Sequence, residues 1–190
     1  MYLHNVAEPV DVSSHIPFLS QCNTLGLESH HAGDLPFGAL IEKDGIVAAT
    51  GHNTGTHDIT GHAEINAIRA FIDSYSLAEL RSCTLYTNFE PCAMCSFLIR
   101  DYGIRRVVFS VPSPHLGGFN RWSVLTDCVA EPFTWQGRKD GPEVIGGIIQ
   151  EESQKIFDKL DWKMHHFPQT HNPQEDIRAT GTKSTSRKSS

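Results

Sequence analysis

Two short motifs constrain this chain more than any other part of its sequence, namely His62-Ala63-Glu64 and Pro91-Cys92-Ala93-Met94-Cys95. Together they contribute one imidazole, one carboxylate and two thiols. Zinc binds imidazole nitrogen and thiolate sulfur, and a catalytic zinc site uses three protein ligands and leaves a fourth position for water. The motifs therefore predict a Zn²⁺ site in which the carboxylate of Glu64 is left free to transfer protons. The three predicted ligands are His62, Cys92 and Cys95.

A Cys-x-x-Cys pair is also typical of structural zinc sites and of redox-active thiol pairs. A structural zinc normally has four protein ligands, and no fourth ligand follows from the spacing near these motifs, although the chain contains 11 histidines. The chain has 5 cysteines, and an odd number with this spacing is not the pattern of a disulfide framework. The sequence therefore indicates a reducing compartment, and we expect a cytoplasmic protein.

Hydrophobic periodicity and turn residues indicate alternating helices and strands. Helices are expected near 16–31, 62–73, 91–100, 123–127 and 151–160, and strands near 37–41, 46–50, 83–88, 106–110 and 144–149. Asp44-Gly45 favours a tight hairpin between the first two strands. This order predicts an α/β fold, a three-layer α-β-α sandwich around a central mixed five-stranded sheet.

The first helix and the two ends of the chain carry further expectations. Ser13 or Ser14 is the expected N-cap of the first helix, and its expected buried face consists of Ile16, Leu19, Cys22 and Leu25. Residues 1–165 are expected to form one domain. Residues 166–190 are polar and rich in Ser, Thr, Pro and Asn, and we expect them to form a disordered tail. No apolar run is long enough to span a membrane.

His-x-Glu followed by Pro-Cys-x-x-Cys is the signature of zinc-dependent nucleobase deaminases. The chain resembles the cytidine deaminase-like superfamily, in its branch of cytosine, guanine and tRNA-adenosine deaminases. The resemblance covers roughly residues 14–160. The segments that carry it are Leu35-Pro36-Phe37-Gly38-Ala39, Gly51-His52-Asn53, Gly61–Arg69 and Leu85–Cys95.

The resemblance implies a hydrolase that acts on the C–N bonds of cyclic amidines and releases ammonia, with Zn²⁺ as its cofactor. It implies that Glu64 is the catalytic residue, which delivers protons to the ring nitrogen and to the departing ammonia. It also implies that Asn53 hydrogen-bonds the substrate and that Phe37 lines the pocket, where its ring stacks on a flat base. Relatives of this kind are usually dimeric, so a homodimer is expected.

The substrate has two alternatives within this branch. The first is a free nucleobase or nucleoside of the cytosine or guanine type, because Pro36-Phe37-Gly38-Ala39 looks like the guanine deaminase form of this segment. The net charge of −6 also disfavours a large polyanionic partner. The second is a tRNA adenosine deaminase that makes inosine at the anticodon wobble position, because the order of motifs and the C-terminal helix resemble that group as well. An inactive deaminase-fold binding protein is a further alternative, and it offers no reason to retain Glu64.

The sequence departs from its relatives at one segment that bears on the base. Guanine deaminases carry Gly-Phe-Asp-Asp after the fourth strand, whereas this chain has Gly118-Phe119-Asn120-Arg121. The departure removes an acidic residue that those enzymes use, so the identity of the base stays open. Trp122 and Trp135 are equally compatible with core packing and with a lid over the pocket.

Overall fold

The computed structural model describes residues 1–126 and 141–160. The segments 127–140 and 161–190, and with them Trp135 and the predicted boundary between 165 and 166, lie outside the described residues. The described helices are α1 (Val12–His31), α2 (Ala63–Ile72), α3 (Ala93–Asp101) and α4 (Gln150–Lys159), with a 3₁₀ helix at Leu77–Ser82. The described strands are β1 (Tyr2–His4), β2 (Gly38–Lys43), β3 (Ile46–His52), β4 (Thr84–Phe89), β5 (Arg106–Val111) and β6 (Glu143–Gly146).

The described strands form one mixed six-stranded sheet in the order β1-β6-β5-β4-β2-β3. The pairs β4–β5 and β5–β6 are parallel, whereas β2 pairs antiparallel with both β3 and β4. The predicted sheet of five strands was therefore short by one. The missing strand is β1, which pairs antiparallel with β6. A strand of three residues is too short to show a period of two, so only its pairing at the sheet edge defines it.

The hairpin between β2 and β3 is confirmed. Its loop is Asp44-Gly45, and both residues have positive φ angles of 53° and 82°. Two successive positive φ angles define the type I′ turn, whose twist matches that of the flanking strands. The predicted helix at 123–127 is wrong within the described residues. Residues 124–126 form only a turn after Ser123, whose φ is 54°.

The three-layer arrangement is confirmed, because alternate residues of the strands face different helices. Ala39, Leu85 and Val107 belong to one core with α2 and α3, which contribute Ile68 and Ile99. The opposite face of the sheet carries a second core, whose buried members are Leu19, Cys22, Leu40, Tyr86, Val108, Ile145 and Ile148. Among the described helices, none is both long enough and apolar enough to cross a membrane.

Helix α1 differs from its prediction at its start and on its buried face. Asp11 is the N-cap, and its side chain accepts a hydrogen bond from Ser13 N at 3.0 Å, so neither serine is the cap. Ile16 is 38% exposed, whereas the buried face comprises His15, Leu19, Cys22, Asn23, Gly26 and Ser29. A Cβ on Gly38 would lie 2.2 Å from Cys22 O. This close approach of β2 to the helix selects a face that includes small and polar residues.

His15 and Tyr86 form a buried polar pair between α1 and the sheet. His15 Nδ1 lies 2.8 Å from the Tyr86 hydroxyl, and the two residues are 6% and 3% exposed. Burial lowers the pKa of His15 and raises that of Tyr86, so both groups are neutral near pH 7. Each therefore depends on the other for a hydrogen bond.

We expect Tyr86→Phe to lower the free energy of unfolding by about 1–3 kcal/mol, because the buried imidazole then keeps its desolvation cost without its partner. Urea denaturation followed by circular dichroism measures this change. Ser110→Ala is the matched control, since it removes a buried hydroxyl for which the described residues provide no partner. Its stability should stay unchanged or rise, and equal losses in the two variants would contradict the importance of the pair.

Candidate active site

The two motifs meet because the strands before them end at the same edge of the sheet. Strands β3 and β4 both pair antiparallel with β2 and therefore run in the same direction. The chain leaves β3 for α2 and leaves β4 for α3. Both helices consequently begin near one edge, and their N-termini bring the imidazole and the two thiols together.

His62 is the N-cap of α2, in an extended conformation with φ −73° and ψ 151°, and Glu64 lies in the first turn. Side chains two residues apart point to nearly opposite sides along a helix. His62 lies just outside the helix and has an extended backbone, so its side chain does not have to point away from that of Glu64. The imidazole and the carboxylate can therefore share one site. The prediction that this helix begins at the motif is therefore correct to within one residue.

Cys92 and Cys95 hold the corresponding position on α3. Cys92 is the N-cap, with φ −66° and ψ 172°, and Cys95 lies in the first turn. Their Sγ atoms are 3.7 Å apart, and each lies 3.5 Å from His62 Nδ1. Within the described residues, the side chains of His62, Cys92 and Cys95 form the group of His, Cys, Asp or Glu donors whose ligand atoms lie close enough together to hold a metal ion.

The spacing of these three donor atoms fits a tetrahedral zinc site. Metal–ligand distances of about 2.3 Å to sulfur and about 2.0–2.1 Å to nitrogen place tetrahedral ligands about 3.8 Å apart for two sulfurs and about 3.5 Å for sulfur and nitrogen. The distances between the donor atoms are 3.7 Å and 3.5 Å, respectively. The group therefore fits Zn²⁺ in donor chemistry and in shape, with a fourth tetrahedral position left over.

The two thiols have opposite proton affinities. The hydrogen bond between the two thiol groups lowers the pKa of Cys92 to about 4, and His62 acts in the same direction. The same hydrogen bond, together with burial, raises the pKa of Cys95. The expectation that the helix N-terminus lowers both pKa values therefore holds for Cys92 alone. Since zinc binds thiolates, metal binding must release the proton of Cys95.

Glu64 is buried, at 6% exposure, and its Oε2 lies 3.5 Å from Cys95 Sγ. Burial raises the pKa of Glu64 to about 7, and the negative charge of Cys92 adds to the effect. General acid–base catalysis is most effective when the pKa lies near the working pH. The carboxyl group is thus placed beside the metal-binding group with a proton affinity that suits both accepting and donating.

Asn53 is held next to His62 by the loop that joins β3 to α2. Thr54 N donates to Gly61 O at 2.7 Å, which closes this loop and places the two flanking residues side by side. Asn66 braces the closure, since its Nδ2 donates to His52 O at 2.8 Å and to Thr54 Oγ1 at 3.0 Å. Asn53 itself is buried and donates its Nδ2 to Asp34 Oδ1 at 2.6 Å.

The ring of Phe37 packs against other aromatic side chains, whereas stacking on a base would require a face of this ring to be available to the substrate. Its ring centroid lies 5.3 Å from that of Phe89 and 5.8 Å from that of Phe157, so it belongs to an aromatic cluster between the sheet and α4. Its carbonyl oxygen accepts from Asn53 N at 3.1 Å. Its contact with a substrate stays a prediction.

Trp122 is 52% exposed, which excludes core packing as its role.

Glu90 was not among the predicted site residues, although it directly precedes Pro91-Cys92. Glu90 is 3% exposed and its carboxylate accepts four hydrogen bonds. The donors are Ser113 N at 2.7 Å, Phe119 N at 3.0 Å, Asn120 N at 2.7 Å and Asn120 Nδ2 at 2.6 Å. Glu90 thereby holds segment 113–120 against the start of the Cys-x-x-Cys helix. A lone acid at the end of a buried strand was the available signal.

Segment 113–120 touches the metal-binding group through its backbone. Cys92 and Gly117 form an isolated antiparallel bridge, and Gly118 N donates to Pro91 O at 2.8 Å. A Cβ on Gly117 would lie 2.0 Å from Glu90 Oε1. Glycine is therefore required at this position for the carboxylate to reach its four donors.

The chain belongs to the cytidine and deoxycytidylate deaminase zinc-binding region family, whose match covers residues 12–111. The resemblance inferred from the motifs is thus confirmed. Together with the His-Cys-Cys group, this membership also confirms Zn²⁺ as the predicted cofactor.

Three relatives are deaminases with different substrates. A probable cytosine deaminase of Schizosaccharomyces pombe is 34% identical over 103 residues, which are 53% of this chain and 62% of that protein. The guanine deaminase of Bacillus subtilis is 45% identical over 85 residues, which are 43% of this chain and 54% of that protein. The tRNA-specific adenosine deaminase of Agrobacterium fabrum is 30% identical over 136 residues, which are 69% of this chain and 85% of that protein. The chain thus spans less than two thirds of the first two relatives.

The fold is also similar to that of a solved chain from a study of A-to-I editing by tRNA:A34 deaminases at the wobble position of transfer RNA. The TM-score is 0.62 at 27% sequence identity, and the match covers 74% of this chain and 99% of that chain. The relatives thus share deaminase chemistry and differ in the size of the molecule that they act on.

Asn120→Asp should destabilise the protein in a pH-dependent way. The substitution would place a second carboxyl group against that of Glu90, which now accepts a hydrogen bond from the Asn120 amide. Repulsion between like charges raises the pKa of at least one of two neighbouring carboxyl groups. Because this carboxyl pKa is then higher in the folded state than in the unfolded state, the variant loses stability as the pH rises above about 4, the usual pKa of a carboxyl group. We expect a loss of about 1–3 kcal/mol at pH 7 that becomes smaller as the pH falls toward about 4.

Chemical denaturation between pH 4 and pH 8 measures this dependence relative to the wild-type protein. Asn120→Ala is the control, because it removes the same hydrogen bond without adding a charge. Its loss of stability should not depend on pH over this range. A flat profile for Asn120→Asp would show that the carboxylate of Glu90 does not face this side chain.

Proposed function

We propose that the protein is a zinc-dependent enzyme that hydrolytically deaminates a free nucleobase or nucleoside of the cytosine or guanine type and releases ammonia. The observation that carries the proposal is the tetrahedral spacing of His62, Cys92 and Cys95 with the buried Glu64 carboxylate at 3.5 Å from Cys95 Sγ. This arrangement combines a catalytic type of zinc site with a proton-transfer group.

In this proposal His62, Cys92 and Cys95 hold the metal and Glu64 is the catalytic residue. Bound Zn²⁺ supplies Lewis acidity and a nucleophilic water near neutral pH. Glu64 would accept the two protons of the attacking water one after the other, and would deliver the first to the ring nitrogen and the second to the departing ammonia. Its burial supports this role, because the carboxyl group is shielded from bulk water and its pKa is raised to about 7.

The substrate pocket in this proposal includes Asn53 as a hydrogen-bonding residue and Phe37 as an apolar wall. Support for Asn53 comes from the hydrogen bond between Thr54 and Gly61, which closes the loop that joins Asn53 to His62. The small-molecule substrate is supported by the identity of 45% to a guanine deaminase over 85 residues and by the net charge of −6. A protein that binds a polyanion needs positive charge along the contact.

A second candidate is the deamination of adenosine to inosine at the wobble position of tRNA. The observation that favours it is coverage, because the match extends over 85% of a tRNA-specific adenosine deaminase and over 99% of a solved chain from the study of tRNA:A34 deaminases. Both candidates use the same metal-binding group and the same Glu64, so they differ only in what surrounds the reacting base.

The cellular setting is part of the proposal. Cys22, Cys83, Cys92 and Cys95 are free thiols, which supports a reducing compartment and hence a cytoplasmic location. A homodimer is proposed from the resemblance alone. Cys22 and Cys83 are fully buried and pack as hydrophobic core residues.

Glu64→Gln should retain zinc and lose most of its activity. The amide has nearly the shape of the carboxylate but cannot accept and return a proton, so turnover should fall by about 10²–10⁴-fold. Metal content by elemental analysis and ammonia release under saturating substrate measure the two effects separately. Cys95→Ala is the matched control for metal loss and should lose zinc and activity together. A Glu64→Gln protein with near wild-type turnover would remove Glu64 from the mechanism.

The substrate class is tested by ammonia release from the zinc-loaded protein against cytosine, guanine, adenine, their nucleosides and an anticodon stem-loop RNA, with Glu64→Ala as the blank. We expect turnover of a base or nucleoside and none of the RNA. Turnover of the RNA alone would replace the first candidate by the second. No turnover of any of these compounds by zinc-loaded protein would contradict both candidates.

A further inference from the structure

Asp34 lies between α1 and β2, and its carboxylate fastens two loops together. Oδ1 accepts hydrogen bonds from Leu35 N at 2.7 Å and from Asn53 Nδ2 at 2.6 Å. Oδ2 accepts from the backbone N and from Oγ1 of Thr56, both at 2.8 Å. Partial burial opposes ionisation of Asp34, but these hydrogen bonds outweigh it and lower the pKa to about 2. The carboxylate is therefore charged near neutral pH and can only accept hydrogen bonds.

A charged carboxylate determines the orientation of an amide that lies against it. Only the NH₂ group of Asn53 can donate to Asp34, so the opposite amide orientation would place two acceptor oxygens in contact. The backbone of Asn53 is held as well, because its N donates to Phe37 O at 3.1 Å and its O accepts from Ser29 Oγ at 2.9 Å. The amide of Asn53 is thus fixed at both its backbone and its nitrogen.

The hydrogen bond to Asp34 uses only the nitrogen of the Asn53 amide, so the amide oxygen is still available as an acceptor. Within residues 1–126 and 141–160, no side chain or backbone group donates a hydrogen bond to Asn53 Oδ1. The hydrogen bond between Thr54 and Gly61 brings the two ends of the loop, Asn53 and the metal-binding residue His62, toward each other.

We propose that Asp34 is a positioning residue that fixes the Asn53 amide with its oxygen available, so that the site offers its substrate a hydrogen-bond acceptor at this point. This inference rests on the proposed function and narrows its substrate class. A free base carries a ring N–H at the nitrogen that a nucleoside or an RNA residue bonds to its sugar. In this proposal the Asn53 oxygen accepts from that ring N–H, so the site favours a free base over the same base substituted at that nitrogen.

The test compares Asp34→Asn with Asp58→Asn. In Asp34→Asn the two facing side chains are both amides, so either one can donate and the orientation of Asn53 is no longer fixed. Asp58 is the matched control because it anchors the same loop in the same manner, accepting from the N and Oγ1 of Thr60, both at 2.8 Å. Its other oxygen pairs with Arg69 at 3.2 Å, and it does not contact Asn53.

The first readout is kinetic and uses pairs of compounds, namely cytosine with 1-methylcytosine and guanine with 9-methylguanine. The wild-type protein should prefer the unsubstituted base by at least about tenfold in kcat/KM, because a methyl group removes the donor. Asp34→Asn should raise KM for the free base by about tenfold, with kcat changed by less than about twofold, and should reduce the preference toward one. Asp58→Asn should retain the wild-type preference. A preference that persists in Asp34→Asn would overturn the inference.

The second readout does not require activity. The side-chain NH₂ group of Asn53 in the ¹⁵N-labelled, zinc-loaded protein should show one proton that is shifted downfield and exchanges slowly, because it is bonded to a carboxylate. Asp34→Asn should abolish this signature and Asp58→Asn should preserve it. If the signature is the same in both variants, Asp34 does not position Asn53. If it behaves as expected while the wild-type protein deaminates no compound in the panel, the positioning stands and the proposed function fails.

Discussion

The meeting of two helix N-termini at one edge of the sheet is the constraint on which the site depends. Strands β3 and β4 share a direction because both pair with β2, and this topology delivers α2 and α3 to the same place. The approach is close, since a Cβ on Gly51 would lie 2.3 Å from Ala63 O. The N–H groups and the dipole at the start of α3 favour negative charge at Cys92, whereas burial outweighs the same influence at the start of α2 and raises the pKa of Glu64. One arrangement thus assembles the donors and supports the thiolate that zinc requires.

Carboxylates hold the loops around this site through hydrogen bonds. Glu90 and Asp34 each accept four hydrogen bonds, and each includes the Nδ2 of an asparagine at 2.6 Å. Hydrogen bonds to a charged acceptor are shorter and stronger than those between neutral groups. The segments 33–36, 53–61 and 113–120 are therefore tied to the scaffold by directional bonds. Directional bonds fix the orientation of neighbouring amides, which hydrophobic contact alone does not do.

The sequence predicted well where the physical cause acts over a few residues. The hairpin follows from Asp44-Gly45, whose residues tolerate positive φ, and the start of α2 follows from the need of His62 and Glu64 to share one site. Predictions failed where distant contacts decide the outcome. The buried face of α1 is displaced from the apolar pattern because Gly38 lets β2 approach Cys22, and a short strand such as β1 exists only through its pairing with β6.

The sequence by itself determined the class of chemistry, because only a few residue types bind zinc and their spacing in His-x-Glu and Cys-x-x-Cys is local. It did not determine which acids matter, since Asp34 and Glu90 look like any other polar residue next to a turn. Their roles depend on partners 19 to 30 positions away, such as Asn53 and Asn120, and only the tertiary structure brings those partners within hydrogen-bonding distance. The orientation of the Asn53 amide was therefore decided by the fold, because a hydrogen bond depends on where two atoms meet.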